Sequence, residues 1–244
     1  MRSQAVELTD VESLEQFPEQ VIEQSTEQVA TPSKRKEQEV RITAPRFDSA
    51  TFTIRGTTPI LMHAWDKKAK QQMKEKQEAG SRSRKGTSLR EAKDFDAAYE
   101  GALYKSKDGS YGIPCGAIRA ACIAACRLTG FSPTYCKISL FIQANCFDDK
   151  SGTPLTRITR GSPEPYESMV RVANGAPDIR VRPMFREWEA EITASWDADI
   201  LSTRDVANLL MRAGQQIGLL EGRPASPKST GQGFGLFELV QGQE

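Results

Sequence analysis

The residues from Gly218 to Gly235, GLLEGRPASPKSTGQGFG, combine five glycines with Arg223 and Lys228. Glycine tolerates positive φ and lets a ligand come close to the backbone, so successive N–H groups can turn into one concavity and attract an anion. With an arginine and a lysine alongside, the anion to expect is a phosphate. The loop is therefore predicted to hold a nucleic-acid backbone through Gly222, Gly231, Gly233 and Gly235. The competing reading is a long solvated turn whose glycines satisfy turn geometry alone. No G-x-x-x-x-G-K-[ST] is present, and Gly231-Gln232-Gly233-Phe234-Gly235 precedes a predicted strand instead of opening a helix, so this is not a P-loop.

Little else in the chain is suited to a reaction. His63, in Leu61-Met62-His63-Ala64-Trp65, is the one histidine. It is the only candidate general base for a metal-independent endoribonuclease, with Tyr104, Tyr111 or Lys67 to assist. A histidine beside apolar residues is more often a packing or capping group, and no Ser/His/Asp set or carboxylate pair accompanies it. The five cysteines (Cys115, Cys122, Cys126, Cys136 and Cys146) fall mostly in apolar periodic segments and read as buried free thiols in a reducing compartment. Cys122 and Cys126 are one helical turn apart, but with a single histidine and no C-x-x-C neither a metal site nor a cofactor is expected.

At 244 residues, 38% hydrophobic and 27% charged, the composition is that of a soluble chain able to bury its own core. No apolar run approaches the roughly 20 residues a membrane helix needs, and the N-terminus lacks the apolar core of a signal peptide. A cytoplasmic protein without a membrane partner is expected. The net charge of +1 conceals an asymmetry: residues 1–40 hold nine acids and four bases, leaving 29 bases and 23 acids for the other 204 residues. The first 43 residues, rich in Glu, Gln, Ser and Thr, read as a disordered acidic tail able to screen a basic surface. Residues 66–93 carry ten bases and four acids, with Arg82, Arg84 and Lys85 in a Gly/Ser setting; such a charge run is more often a solvated face, and direct phosphate contact by these three is the competing reading.

The elements that must position these groups follow from periodicity. Phe47 to Arg55 alternates as a half-buried strand. Helices are predicted near 66–78 and 89–99, and Leu103 to Ile113 reads as a hairpin turning at Asp108-Gly109. Pro114 opens a helix to Thr129 whose Ala117, Ile118, Ala121, Cys122, Ala125 and Leu128 form one stripe, with Gly130 ending it. Lys137 to Phe147 alternates as a strand. Residues 148–186, rich in Pro, Gly and Arg, read as a β-rich insertion carrying Arg157, Arg160, Arg171, Arg180, Arg182 and Arg186, with short β pieces at 155–159, 169–172 and 179–183. Trp188 to Trp196 is a strand, Ser202 and Asp205 begin a capped helix to Ile217, and Phe234 to Val240 is the last strand. Without its insertions the order is βαββαβ. The predicted fold is α+β: one ferredoxin-like, RRM-like domain over 44–244, with a basic helical insertion at 60–112 and a thumb-like hairpin at 148–186.

Tyr111 to Ala120, YGIPCGAIRA, is a hairpin ending in an I-P-x-x-x-[IL]-[RK] helix start. It resembles the corresponding element of the RAMP superfamily, the CRISPR-associated backbone and processing proteins. The glycine-rich loop before the last strand resembles theirs, and the 148–186 insertion sits where backbone subunits carry a thumb. The resemblance implies a non-catalytic protein that binds single-stranded RNA or DNA along its backbone and self-associates head to tail or joins related subunits. By position, Arg119, Arg180, Arg182, Arg223 and Lys228 contact phosphates along one furrow, Arg157 joins them from the insertion, and Met184 or Phe185 wedges between or stacks on bases. Pro224, Pro227 and Glu221 depart from the family's glycine-dominated loop. Two alternatives stand beside this reading: the endoribonuclease using His63, and a viral structural or assembly protein with no nucleic-acid role.

Overall fold

The computed structural model describes residues 43–64, 71, 74, 94–171, 177–227 and 231–240. The chain divides into two units, Met1–Thr43 and Ala44–Glu244. The acidic tail, the helix expected at 66–78 except for Gln71 and Lys74, the cations Arg82, Arg84 and Lys85, and Lys228 lie outside the described residues.

The second unit is mixed α+β, and its described residues form two antiparallel sheets. In the larger, β1 (Phe47–Gly56) lies between β10 (Phe237–Leu239) and β9 (Glu189–Asp197). Beyond β9 come β6 (Pro154–Arg160) and β3 (Gly112–Pro114), while β4 (Leu140–Ile142) also pairs β9 and β5 (Cys146–Phe147) pairs β6. The smaller sheet has β8 (Pro177–Phe185) between β2 (Ile60–Leu61) and β7 (Glu164–Arg171).

The longest ladder runs from Phe47 opposite Asp197 to Arg55 opposite Glu189. Because side chains alternate across a strand, it has two unlike faces. Ile54, Ala190, Ile192, Ala194 and Trp196 are buried on one face. Against them lie α2 (Cys115–Thr129), through Ile118, Ala121, Cys122 and Ala125, and α4 (Thr203–Arg212), through Val206, Leu209 and Leu210. The other face presents Ser49, Thr51 and Thr53 opposite Ser195, Thr193 and Glu191.

Local signals account for most element ends. Gly130, at φ 73°, terminates α2. Ser202 accepts from Asp205 N–H while Asp205 accepts from the Ser202 backbone, a complete capping box for α4, whose helix then widens into a π-turn over Ala213–Ile217. The hairpin turning at Gly109 joins Lys105 to Tyr111. Residues 89–93 are outside the described set, and the helix expected there is seen as α1 (Phe95–Ala102), capped by Asp94.

Three expectations change. Lys137 to Phe147 is not one strand: Ser132 caps and Pro133 opens a short helix, α3 (Pro133–Ser139), and only Leu140–Ile142 and Cys146–Phe147 are extended. The Ser-Pro start signal outweighs the alternation, and Ile138 is left pointing to solvent at 60% exposure. Residues 148–186 are likewise not one insertion. β6 belongs to the large sheet, with Leu155 and Ile158 buried, and only the β7–β8 hairpin leaves it to pair with β2. The last strand is also shorter than expected, because the glycine-rich loop continues to Leu236.

Candidate nucleic-acid interface

In the β7–β8 hairpin, Tyr166 stands opposite Arg182 and Ser168 opposite Arg180, so one face carries both arginines and the tyrosine. The glycine-rich loop packs on this face. Phe234 meets the Tyr166 ring edge to face at 5.9 Å, and Glu221 accepts from Arg182 Nε at 3.1 Å. His63, just past β2, closes the cluster: its Nδ1 lies 3.1 Å from the same Glu221 oxygen and its Nε2 lies 3.0 Å from Arg182 Nη2. A guanidinium can only donate, so Nε2 accepts, Nδ1 carries the ring proton, and Nδ1–H donates to Glu221. Burial by itself would raise the Glu221 carboxyl; the pull of His63 and then of Arg182 outweighs it and holds the carboxyl below its ordinary value.

These contacts form a clasp joining β2, β8 and the loop. The Arg182 side chain is 12% exposed and also donates to Val181 O, so all three of its nitrogens are engaged. Both ring nitrogens of His63 are held as well, which leaves neither free to take a proton from a substrate in this arrangement.

The glycine-rich loop turns its amides inward. Leu219 N–H donates to Gly235 O, Glu221 N–H to Leu61 O, Gly235 N–H to Pro59 O, and Gln232 and Phe234 N–H both donate to Gly222 O. Gly231 and Gly235 have positive φ, and a Cβ there would lie 2.3 Å from Arg223 O and 2.1 Å from Leu219 O. Gly222 and Gly233 share the positive φ. Gly231 and Gly235 thus serve close backbone packing, and of the four glycines predicted to form an anion nest, Gly235 spends its amide on Pro59 O within the protein.

Among the described residues, the predicted cations are not brought to one furrow. Arg180 and Arg182 share the hairpin face, and Arg180 is 3.6 Å from Asp178. Arg119 is elsewhere: its guanidinium donates to Leu140 O and Lys137 O and lies over the Phe141 ring. That position is at the Phe47 end of β1, because Leu140 registers with Trp196 and Trp196 with Asp48. Arg157 reaches Asp108 at 2.7 Å beside the 105–111 hairpin. Arg223 folds back to donate to Leu220 O and lines a small cavity with alanines of α2. Met184 and Phe185 are 2% and 0% exposed, packed between the strands, so neither can wedge between bases. An extended strand carrying Pro183-Met184-Phe185 reads in one dimension like an exposed hairpin; pairing with Ile60 and Leu61 is what buries it.

Glu221 was legible only as an unfavourable charge near phosphate, yet it is the acceptor on which the clasp turns. Nothing in local spacing marks it, since its partners lie 39 residues away in Arg182 and farther still in His63.

Positive charge is concentrated at one place along the chain. Residues 66–93 hold ten bases and four acids, and the rest of 41–244 holds nineteen of each. The flanks of that segment are fixed together: Ala64 N–H donates to Ala102 O at 2.8 Å, and Met62 N–H donates to Pro183 O. The described residues before it, ending at Ala64, thus lie against the end of α1, which packs on β8.

No model of a known protein family matches the chain, and no curated protein does. No helix among the described residues is long and apolar enough to cross a membrane.

Proposed function

We propose that this protein binds single-stranded nucleic acid through its phosphate backbone without cutting it, with residues 66–93 as the main electrostatic contact. The supporting observation is that the whole positive excess of residues 41–244 falls within that segment, whose flanks are held together beside β8 and the Arg180–Arg182 face. Backbone binding of this kind is driven by release of counterions and needs clustered cations more than a preformed pocket.

The core that presents the segment is ferredoxin-like in this proposal. Taking β1, α2, β4, β9, α4 and β10 in turn gives βαββαβ, and the spatial order β10-β1-β9-β4 with every pair antiparallel fits that arrangement. A place among the RAMP-like backbone subunits is part of the same proposal. So is head-to-tail self-association through the outer face of the β7–β8 hairpin, where Met169 is 77% exposed. The engaged nitrogens of His63 favour the non-catalytic reading over the endoribonuclease. Five free, buried cysteines suit a reducing, cytoplasmic setting.

The test is fluorescence anisotropy with labelled single-stranded RNA and DNA at two salt concentrations, for the parent chain and for a variant with Lys67, Lys68, Lys70, Arg82, Arg84 and Lys85 replaced by Ser. Affinity of the parent should fall steeply with salt, and the variant should lose most of both the affinity and the slope. A parent slope near zero, or a variant that binds like the parent, overturns the proposal. Intact RNA after long incubation is expected from the parent; cleavage that disappears in His63→Ala would restore the enzymatic reading.

A further inference from the structure

Beside β5 and the 105–111 hairpin lies a depression of about 650 Å³ whose lining includes Lys107, Asp108, Phe147, Asp148, Asp149 and Arg157. The volume lies within the ~300–1,000 Å³ typical of small-ligand sites. Its walls are two turns locked to each other. Asp148 Oδ1 accepts from Lys105 N–H while its Oδ2 accepts from Ser151 N–H and Oγ–H, and Asp149 N–H donates to Lys105 O at 2.9 Å. Asp108 is bound to Ser110 and Arg157. These groups are structural.

Three groups in the same depression are not. Phe147 is 59% exposed although its strand is paired to β6 on the backbone. Lys107 and Asp149 make no ion pair among the described residues. A rigidly mounted aromatic face, a free ammonium and a free carboxylate are the complementary parts of a nucleotide. The ring offers a surface for a base to stack on, the ammonium suits a phosphate, and the carboxylate can only accept hydrogen bonds. A carboxylate matches the base edge with two adjacent donors, the guanine N1–H and N2–H₂, and mismatches the acceptor-bearing edges of uracil and thymine.

We infer that this depression is a single-nucleotide subsite that takes an unpaired guanine of the bound strand, stacked on Phe147 and read by Asp149, with Lys107 on its phosphate. The inference rests on the nucleic-acid reading above and adds a base preference to it. Arg157 supports the site by holding Asp108 against the neighbouring turn, and does not itself contact the strand.

The experiment uses the full chain and three labelled 10-nucleotide DNA strands of thymidine with a central trio of guanine, inosine or adenine. The parent should bind guanine severalfold tighter than inosine, which lacks the N2 amino group, and tighter again than adenine. Phe147→Ala should weaken binding of the guanine strand about tenfold. Asp149→Asn should bring the guanine and inosine strands to equal affinity, with thermal stability unchanged in both variants. Equal binding of all three strands by the parent, with affinity still lost on neutralising residues 66–93, overturns the subsite and leaves the proposed function standing. No binding by the parent to any strand overturns both.

Discussion

The clasp and the guanine depression are built from the same kinds of residue and reach opposite results. Around Glu221, a carboxylate, a guanidinium and an imidazole satisfy one another almost completely, and the Arg182 side chain is sealed in. Around Phe147, Asp108 and Asp148 are likewise consumed by their turns, but Lys107, Asp149 and the aromatic ring are left over. A charged group that has found its partner stabilises a junction. One held on a rigid frame without a partner is available to a ligand. The described arginines that looked best suited to phosphate in the sequence mostly belong to the first kind.

That contrast can be broken most severely at the loop behind the clasp. Gly235→Ala places a Cβ 2.1 Å from Leu219 O at a φ of 73°, and should cost about 3 kcal/mol or more in chemical denaturation. Arg182→Ala removes the buried partner of Glu221 and should cost about 1–3 kcal/mol, lowering Tm by about 2–4 °C per kcal/mol in a domain of this size. A change within about 0.5 kcal/mol would mean that the clasp is ornamental.

Acid provides a smaller, more specific probe. The Glu221 carboxyl is held below its ordinary value in the folded protein, so between the two values the unfolded chain binds more protons. Its contribution is therefore present above the unfolded value, near 4.5, and is lost as pH falls through the folded one. Asp108, lowered to about 2 chiefly by hydrogen bonds from Ser110, and Glu189 and Asp205 titrate downward as well, so the parent must be compared with Glu221→Gln. The variant should show a shallower loss of stability below pH 4.5; identical profiles would remove Glu221 from the account. At the other pole, Lys107→Ala and Phe147→Ala should shift stability by less than about 0.5 kcal/mol, since neither side chain anchors the fold. A larger loss would turn the depression into a second structural junction.

Much of the fold was legible from local pattern. The alternation of Phe47 to Arg55, the small-residue stripe of α2 and the Ser202–Asp205 box each specify an element within one or two turns of chain, and the structure contains all three. Alternation misled at 137–147, where Ser132-Pro133 nucleates a helix, and composition misled at 148–186, where one strand of the apparent insertion pairs with β9. The candidate site was less legible. Phe147 and Asp149 lay in a stretch read only as strand end and insertion start, and their exposure depends on β5 pairing with β6 while Asp148 ties down the neighbouring turn.

By itself the sequence determined the α+β alternation and the placing of the positive charge, because hydrophobic period and charge count are properties of neighbouring residues. Only the tertiary structure decided which charges are spent. Arg182 meets His63 across 119 residues and Glu221 across 39, and such meetings are set by sheet register and loop packing, where a shift of one residue would turn each side chain to the opposite face.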